Sequence, residues 1–167
     1  HLNVVQNDAD QILAERLFKK FNADCLCGSP TVIIAFAERL QDADIRKKVC
    51  CLELAQERCT PQQMQFLKDA FPEATIMSTY ALSEVATTLG EPCAESLKVS
   101  PYNYHLDSSV TLYEFIDPIT LQPSDPSKNA CELVVTSLES EQPFPLVRYQ
   151  TGDLIAVESE DCPCGRG

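Results

Sequence analysis

The first half of the chain alternates between stretches of helical periodicity and short apolar runs. Residues 10–21 carry Leu13, Leu17 and Phe21 at spacings of four, which predicts an amphipathic helix with these residues on one face. The short apolar runs predict strands, at residues 24–27, 48–54 and 75–80. Helices that lie between short apolar strands imply βα units and a parallel sheet.

Two further helices are marked by their starts. Ser29 precedes Pro30, and an N-cap residue before a proline is typical of the first turn of a helix. Thr60 precedes Pro61 in the same way, and Gln63 completes a capping-box pattern. We therefore expect helices to begin at both positions.

The second half changes to strands and turns, and no convincing helix follows Tyr102. Apolar or alternating stretches predict strands, at residues 110–116, 132–138, 146–149 and 154–157. They indicate a small antiparallel sheet or barrel. The predicted fold class is α/β, with a parallel sheet flanked by helices in residues 1–95 and a small antiparallel β subdomain in residues 96–167.

Composition excludes two classes of partner. The 167 residues include 13 Lys and Arg against 25 Asp and Glu, which gives a net charge of −12. Binding to a phosphate backbone depends on clustered Lys and Arg, so we expect no nucleic-acid partner. No apolar run approaches the ~18 residues that span a bilayer, so we expect no membrane partner. No signal-peptide pattern is present either.

The nine cysteines are an odd number without a secretion signal. This indicates a reducing compartment rather than a disulfide framework, so we expect a cytoplasmic location. Six cysteines are interpreted as small buried apolar residues: Cys25, Cys27, Cys50, Cys51, Cys59 and Cys131. The chain begins at His1 and ends at Gly167, and we expect it to be part of a longer protein.

Two short motifs are candidates for chemistry. Residues 80–84 end in Ser83 and Glu84, a hydroxyl and a carboxylate at the sheet edge where ligands collect in open α/β folds. The alternative is a helix cap. In residues 151–153, Asp153 is either a carboxylate that accepts hydrogen bonds from a ribose diol or part of a tight turn.

A metal site is the third candidate. Cys162 and Cys164 lie in a polar tail, where burial does not explain them, but two cysteines do not fill a tetrahedral site. Cys93 and His105 would complete a Cys3His set, which is the usual closed type of structural zinc site. These residues are far apart in sequence, unlike a compact zinc finger, so spacing alone leaves open whether they meet.

Several stretches together, in this order, resemble one known family. They are residues 24–37, 55–57, 80–84, 104–106, 114–118, 132–138, 145–149, 151–153 and 162–166. For example, Tyr-Ala-Leu-Ser-Glu at residues 80–84 is similar to the family's Tyr-Gly-Leu-Ser-Glu. On these stretches the chain resembles the phenylacetate–CoA ligase branch of the adenylate-forming (AMP-binding) enzymes, over the second half of their large N-terminal domain.

The resemblance implies nucleotide-binding roles for Glu57, Tyr80, Ser83, Glu84, Asp153 and Arg166. Glu57 belongs to a turn that packs on adenine, and Tyr80 lies against the adenine or the acyl pocket. Ser83 contacts the AMP phosphate, and Glu84 helps to hold Mg²⁺, a hard cation suited to carboxylate and phosphate oxygens. Asp153 binds the ribose hydroxyls.

The tail has two implied roles. Arg166 lies at the hinge to a small C-terminal domain and also reaches the ribose. Several members of this branch hold a structural zinc with a Cys, a His and a Cys-x-Cys pair, which match Cys93, His105, Cys162 and Cys164. The cofactors implied are therefore structural zinc, and Mg²⁺ with ATP in the parent enzyme.

The chain departs from the family pattern at three glycines, which are replaced by Ala55, Ala81 and Cys131. A side chain at a position where the backbone must approach a nucleotide closely weakens binding. The family's phosphate loop and its C-terminal catalytic lysine match no part of this chain. We therefore expect the chain to be inactive alone.

The resemblance implies a parent enzyme that is an ATP-dependent acid–CoA ligase. A carboxylic acid forms an acyl-adenylate with ATP, and the CoA thiol then displaces AMP. Acyl transfer to an amine acceptor is the alternative within the family.

A catalytically degenerate relative that acts as a zinc-stabilised binding or scaffolding module is a rival hypothesis, and a free-standing zinc-stabilised interaction domain is a third. Exposed apolar surface on an isolated half-domain predicts self-association.

Overall fold

The computed structural model describes residues 2–3, 8–40, 42–85, 87–138, 145–158 and 162–166. It divides into two compact units. The first unit comprises His1–Tyr80 and Leu97–Asn103, and the second comprises Ala81–Ser96 and Tyr104–Gly167. The domain boundary expected between residues 95 and 96 stays a prediction. Within the described ranges, no helix has both the length and the apolar character needed to cross a membrane.

The first unit is a four-stranded sheet with helices. Its strands, in spatial order, are β1 (Leu2–Asn3), β2 (Cys25–Gly28), β3 (Cys51–Leu54) and β4 (Thr75–Ser78). Every neighbouring pair is parallel. The helices are α1 (Asp8–Phe21), α2 (Pro30–Arg39), α3 (Ala43–Arg46) and α4 (Pro61–Ala70). The predicted parallel sheet is confirmed, and α3 is a short helix that the apolar pattern did not predict.

Both predicted helix starts are confirmed by their caps. The Ser29 hydroxyl accepts a hydrogen bond from the Val32 amide at 3.4 Å, at the beginning of α2. At the beginning of α4, the Gln63 amide donates to Thr60 Oγ1 at 3.2 Å. The Thr60 amide donates in return to Gln63 Oε1 at 2.8 Å, which closes the capping box.

The buried face of α1 differs from the predicted one. Ala14 and Phe18 are buried, and the Phe18 ring packs edge-on against Phe36 with centroids 5.8 Å apart. The predicted helix is confirmed as α1, but Leu13 is 52% exposed and Phe21 is 69% exposed, so these two residues of the predicted apolar face are not buried. Apolar side chains occupy two neighbouring stripes of this helix, and periodicity alone does not show which stripe faces the sheet.

The predicted burial of the cysteines is confirmed for Cys25, Cys59 and Cys131, and Cys27 and Cys51 are half-buried. For Cys50 the prediction was wrong, because this residue is exposed. The apolar run begins at residue 48, but β3 begins only at residue 51. The residue before the strand therefore lies in a surface loop.

The second unit contains two three-stranded sheets. One comprises β5 (Tyr80–Leu82), β6 (Thr87–Glu91) and β7 (His105–Leu106). The other comprises β8 (Thr111–Ile116), β9 (Cys131–Ser137) and β10 (Tyr149–Ile155), with β9 at the centre and both pairs antiparallel. The predicted antiparallel sheet is confirmed. A short helix, α5 (Ser96–Val99), lies between β6 and β7.

Two strand predictions need correction. The run at residues 75–80 does not form one strand, because β4 ends at Ser78 and Tyr80 begins β5 in a different sheet. The two strands predicted at residues 146–149 and 154–157 are replaced by one strand, β10, which spans Tyr149–Ile155 and is interrupted by a bulge, so residues 146–148 and 156–157 lie outside it.

The bulge in β10 is formed by residues 151–153. Gln150 pairs with Val134 and Leu154 pairs with Glu132, so three residues of β10 lie opposite Leu133 alone. Gly152 supplies the left-handed backbone at φ 76°. The tight-turn alternative for this motif was therefore wrong, because glycine serves a bulge as well as a turn.

Candidate functional site

Four metal-ligating side chains of the second unit converge. Each of Cys93, His105, Cys162 and Cys164 offers one ligand atom, and these atoms all lie within 4.8 Å of one another. The sheet brings the first two together, since Glu91 at the end of β6 pairs with His105 in β7 and Cys93 follows two residues later. The structure thus joins four residues that sequence spacing left apart.

The distances in this cluster fit a tetrahedral ion. Cys93 Sγ lies 3.7 Å from Cys162 Sγ. His105 Nε2 lies 3.3 Å from Cys93 Sγ and 3.4 Å from Cys164 Sγ. Tetrahedral bonds of ~2.3 Å to sulfur and ~2.0 Å to nitrogen give sulfur–sulfur edges of about 3.8 Å and sulfur–nitrogen edges of about 3.5 Å. The cluster could therefore hold a metal ion.

Backbone amides support the sulfur ligands. The Ser96 amide donates to Cys93 Sγ at 3.3 Å, and the Arg166 amide donates to Cys164 Sγ at 3.4 Å. The Ser96 amide, helped by His105, lowers the pKa of the Cys93 thiol to about 5, although burial opposes this shift. Since the thiolate is the form that binds metals, Cys93 is prepared as a ligand at neutral pH.

The tail folds locally so that both of its cysteines reach the cluster. Gly165 adopts a left-handed φ of 79°, and its amide donates to the Cys162 carbonyl at 3.0 Å. This closes a turn around Cys164 that presents it together with Cys162. Glycine is suited to the position because a Cβ there would strain the backbone.

Ser83 and Glu84 lie in a turn immediately after β5. The turn is closed by a hydrogen bond from the Val85 amide to the Leu82 carbonyl at 3.2 Å. The helix-cap alternative was therefore wrong for these residues. Both side chains are exposed, and Glu84 Oε1 accepts a hydrogen bond from the Tyr149 hydroxyl at 3.3 Å.

Asp153 lies in the bulge of β10, where it is half-buried and its amide donates to Thr151 Oγ1 at 3.1 Å. It shares a neighbour with Glu84. Burial raises the pKa of the Tyr149 phenol, and the negative charges of Glu84 and Asp153 raise it further. Both predicted carboxylates are thus close enough to raise the pKa of the same phenol.

Tyr149 is a neighbour of Glu84 that the sequence analysis did not single out. Its closeness to Asp153 along the chain was visible in the sequence. Its hydrogen bond to Glu84 was not, because the two residues are 65 positions apart.

Glu57 lies in an exposed turn of the first unit, after β3. Its Oε1 accepts a hydrogen bond from the Thr31 amide in the first turn of α2 at 3.1 Å. Hydrogen bonds from Thr31, with a smaller one from Ser29, lower the pKa of the Glu57 carboxyl. The left-handed residue of this turn is Gln56, at φ 73°, and not Ala55. The alanine in place of the family glycine is thus compatible with the backbone of the turn.

Tyr80 and Arg166 are the remaining predicted nucleotide-binding residues. Tyr80 is half-buried at the beginning of β5. Arg166 is exposed, and with His105, Gly90 and Asp107 it lines an open cavity of about 620 Å³ in the second unit. These placements are descriptions of position, and the nucleotide-binding roles of the residues stay predictions.

Known proteins with a similar sequence or structure include acid–CoA ligases. The chain is 29% identical over 153 residues to the phenylacetate-coenzyme A ligase of Thermus thermophilus, an alignment that covers 90% of this chain and 33% of that protein. No family model matches the chain.

Solved structures of CoA ligases match the fold of this chain. A 2-hydroxyisobutyryl-CoA ligase, crystallised with 2-HIB-AMP and CoA, matches with a TM-score of 0.79 at 17% identity, over 97% of this chain and 37% of that chain. A long-chain-fatty-acid-CoA ligase from Archaeoglobus fulgidus matches with a TM-score of 0.60 at 10% identity, over 76% of this chain and 27% of that chain.

These matches confirm the resemblance that the sequence motifs indicated. The chain spans about a third of the length of the ligases that it matches. Over that third, it has the fold of the adenylate-forming acid–CoA ligases.

Proposed function

We propose that the chain is part of the large domain of an AMP-forming acid–CoA ligase. The observation that carries the proposal is the 29% identity to a phenylacetate-coenzyme A ligase across 90% of this chain. The partners would be ATP or AMP, a carboxylic acid and CoA. The acid would attack the α-phosphate of ATP to give an acyl-adenylate and pyrophosphate, and the CoA thiol would then displace AMP.

The residues of the second unit would hold the nucleotide. The exposed Ser83 hydroxyl would donate a hydrogen bond to the AMP phosphate. The Asp153 carboxylate would accept hydrogen bonds from the ribose hydroxyls, and the exposed Arg166 guanidinium would also reach the ribose. Charge-assisted hydrogen bonds of this kind are about twice as strong as neutral ones.

Two further residues, Glu57 and Tyr80, have nucleotide-binding roles implied by the resemblance. Glu57, held at the beginning of α2, would keep the adenine turn in place. Tyr80 would lie against the adenine or the acyl pocket.

Glu84 is the proposed magnesium ligand. Its carboxylate is exposed, and the hydrogen bond from the Tyr149 hydroxyl restricts its orientation. Carboxylate oxygens are the donors that Mg²⁺ prefers, and Mg²⁺ when bound would neutralise phosphate charge. The phenol of Tyr149 would thereby help to set the position of a nucleotide-binding carboxylate.

The metal in the Cys3His cluster would be zinc, in a structural role. Three thiolates and one imidazole are a usual closed donor set for zinc, and they leave no coordination position for a substrate. Reduced thiols are needed for such a site, which supports a cytoplasmic location.

The chain alone would be inactive. Its proposed residues bind and orient the nucleotide, and in this family the phosphate loop and the catalytic lysine belong to segments that this chain does not match. The test is acid-dependent exchange of pyrophosphate into ATP, measured for the chain and for a full-length protein that contains it, with a panel of acids.

The expected result is exchange by the full-length protein only. Asp153→Asn should reduce it at least about 10-fold, since it removes a charged hydrogen-bond acceptor. Asp125→Asn in the same unit, outside the bulge of β10 and the cavity beside Arg166, is the matched control and should leave exchange unchanged. Absence of exchange with every acid would overturn the proposal. The acceptor used in the second step would distinguish CoA from an amine.

A catalytically degenerate scaffold is the second candidate. The observation that favours it is the replacement of the family's glycines by Ala55 and Ala81, since a methyl group hinders close approach of a nucleotide. AMP binding separates the two candidates, because the scaffold predicts none in the full-length protein.

Self-association of the chain is a related proposal. It is supported by three exposed apolar side chains on α1, namely Ile12, Leu13 and Phe21. Light scattering that gives a monomer at high protein concentration would contradict it.

A further inference from the structure

We propose that Cys93 and Cys162 form a redox-sensitive pair, which hydrogen peroxide or a comparable peroxide converts into a disulfide with release of the bound metal. This inference rests on the proposed metal centre. It gives the four residues of the cluster a second state, which is oxidised and metal-free. A purely structural zinc site would not need this state.

The pair is selected by geometry. Cys93 Sγ and Cys162 Sγ are 3.7 Å apart, so a shift of about 1.7 Å brings them to the disulfide bond length of ~2.0 Å. Cys162 belongs to the tail and is half-buried, whereas Cys93 is buried. The sulfur of Cys162, which is the more accessible of the two, therefore lies beside the buried sulfur of Cys93. Cys93 can attack an oxidised Cys162 and form the disulfide.

Cys164 is placed for a different role. Its sulfur lies 3.4 Å from His105 Nε2 and accepts a hydrogen bond from the Arg166 amide. A bond between Cys162 and Cys164 would have to close across a single residue within the turn that presents both, and departures from relaxed disulfide geometry store strain. The geometry therefore favours the long-range pair over the local one.

The chemistry balances with the peroxide as the oxidant. The Cys162 thiolate attacks one peroxide oxygen, the O–O bond breaks, and sulfenic acid and hydroxide form. The Cys93 thiolate then attacks the sulfenic sulfur, the S–O bond breaks, and a second hydroxide leaves. Two electrons pass from the two sulfurs to the peroxide, and two protons from the buffer convert both hydroxides to water.

Oxidation would release the metal but keep the tail attached. Only His105 and Cys164 remain as ligands, and two ligands do not fill a tetrahedral site. The new disulfide links residues 69 positions apart, so it replaces the metal as the connection between the tail and the loop after β6. Cys164, freed from the metal, is then open to solvent beside Arg166.

The test begins with the reduced chain loaded with zinc. Zinc per chain is measured, one equivalent of hydrogen peroxide is added, released zinc is followed with a chromogenic chelator, and disulfides are mapped by mass spectrometry without reduction. We expect about one zinc per chain to fall to about a tenth of that value while the Cys93–Cys162 disulfide forms. A thiol reductant with added zinc should restore the starting state.

Variants make the result specific. Cys50→Ser removes an exposed cysteine outside the cluster and should behave like the wild type. If Cys162→Ser does not bind zinc, zinc release cannot be compared between this variant and the wild type. Disulfide mapping of the zinc-free wild type then tests whether peroxide links Cys93 to Cys162.

Three outcomes would contradict either the redox proposal or the proposed metal centre, and each can be told from the others. If peroxide oxidises the exposed thiol of Cys50 but zinc stays bound to the chain, the peroxide was active and the redox proposal is wrong. A disulfide that maps to Cys162 and Cys164 would also overturn it. Absence of zinc from the reduced chain would overturn the proposed metal centre, while mapping of the zinc-free chain would still decide whether the pair forms.

Discussion

The two units of this protein bury apolar side chains to different extents. In the first unit, Phe18, Phe36 and Phe71 are all fully buried, together with several Leu and Ile side chains between the sheet and its helices. The largest fully buried side chains of the second unit are Leu89 and Leu133. A small core contributes little stability, and small domains often need a metal or disulfide in addition. We infer that the first unit is stabilised by its core and the second by the proposed metal centre.

The largest expected effect tests the core of the first unit. Phe36→Ala removes a fully buried ring that packs on Phe18, and the loss of apolar burial and the cavity should cost about 3–5 kcal/mol in the free energy of unfolding. Hydrogen exchange followed by mass spectrometry should show faster exchange in α1 and α2. Zinc content per chain should stay unchanged, and its loss would contradict the separate stabilisation of the two units.

Removal of the metal is the converse experiment. Free zinc at 100 to 1,000 times its dissociation constant should stabilise the second unit by about 3–4 kcal/mol. A chelator, or the double substitution of Cys162 and Cys164 by Ser, should therefore increase hydrogen exchange in residues 87–96 and 104–116 of the second unit and leave β2, β3 and α2 unchanged. Cys50→Ser is the matched control. Equal protection of the second unit with and without zinc would show that its core suffices.

The comparison also separates what the sequence could predict from what it could not. In the first unit the signals are local, because Ser29 and Thr60 cap helices that begin one residue later. The face of α1 was not predictable, since the buried stripe depends on where the sheet lies.

In the second unit the deciding contacts are long-range. The types of the four metal ligands indicated a Cys3His set, but their meeting depends on the pairing of Glu91 with His105 and on the turn at Gly165. The motif at Asp153 could not be identified as a bulge without the register of β9 against β10. The resemblance to a family, which rests on the order of several motifs, favoured this ligand set where the spacing of the residues alone left it open.

A smaller effect is expected where the second unit is closely packed beside the metal. A Cβ added at Gly90 would lie 2.9 Å from Tyr104 Cβ and 3.3 Å from Tyr104 Cγ, and Tyr104 precedes the metal ligand His105. Gly90→Ala should destabilise the second unit by about 1–3 kcal/mol, because overpacking shifts the backbone. Zinc affinity should fall in parallel, as measured by competition with a chelator. Ser108→Ala, at an exposed position, should change neither quantity.

The smallest expected effect concerns the contact between Glu57 and α2 in the first unit. The folded state lowers the pKa of this carboxyl, so its contribution to stability is present above the pKa of the unfolded chain and is lost as pH falls through the lower folded value. Glu57→Gln should cost about 1 kcal/mol or less at pH 7, since the group is exposed and the charge is screened by solvent. The difference between the wild type and this variant should shrink as pH falls below the ordinary pKa of a glutamate, about 4.3, and should vanish once the carboxyl is protonated in the folded state. Denaturant unfolding from pH 7 to pH 3 measures it, with Glu73→Gln as the control. A difference that persists unchanged at low pH would show that the Thr31 contact does not depend on the charge.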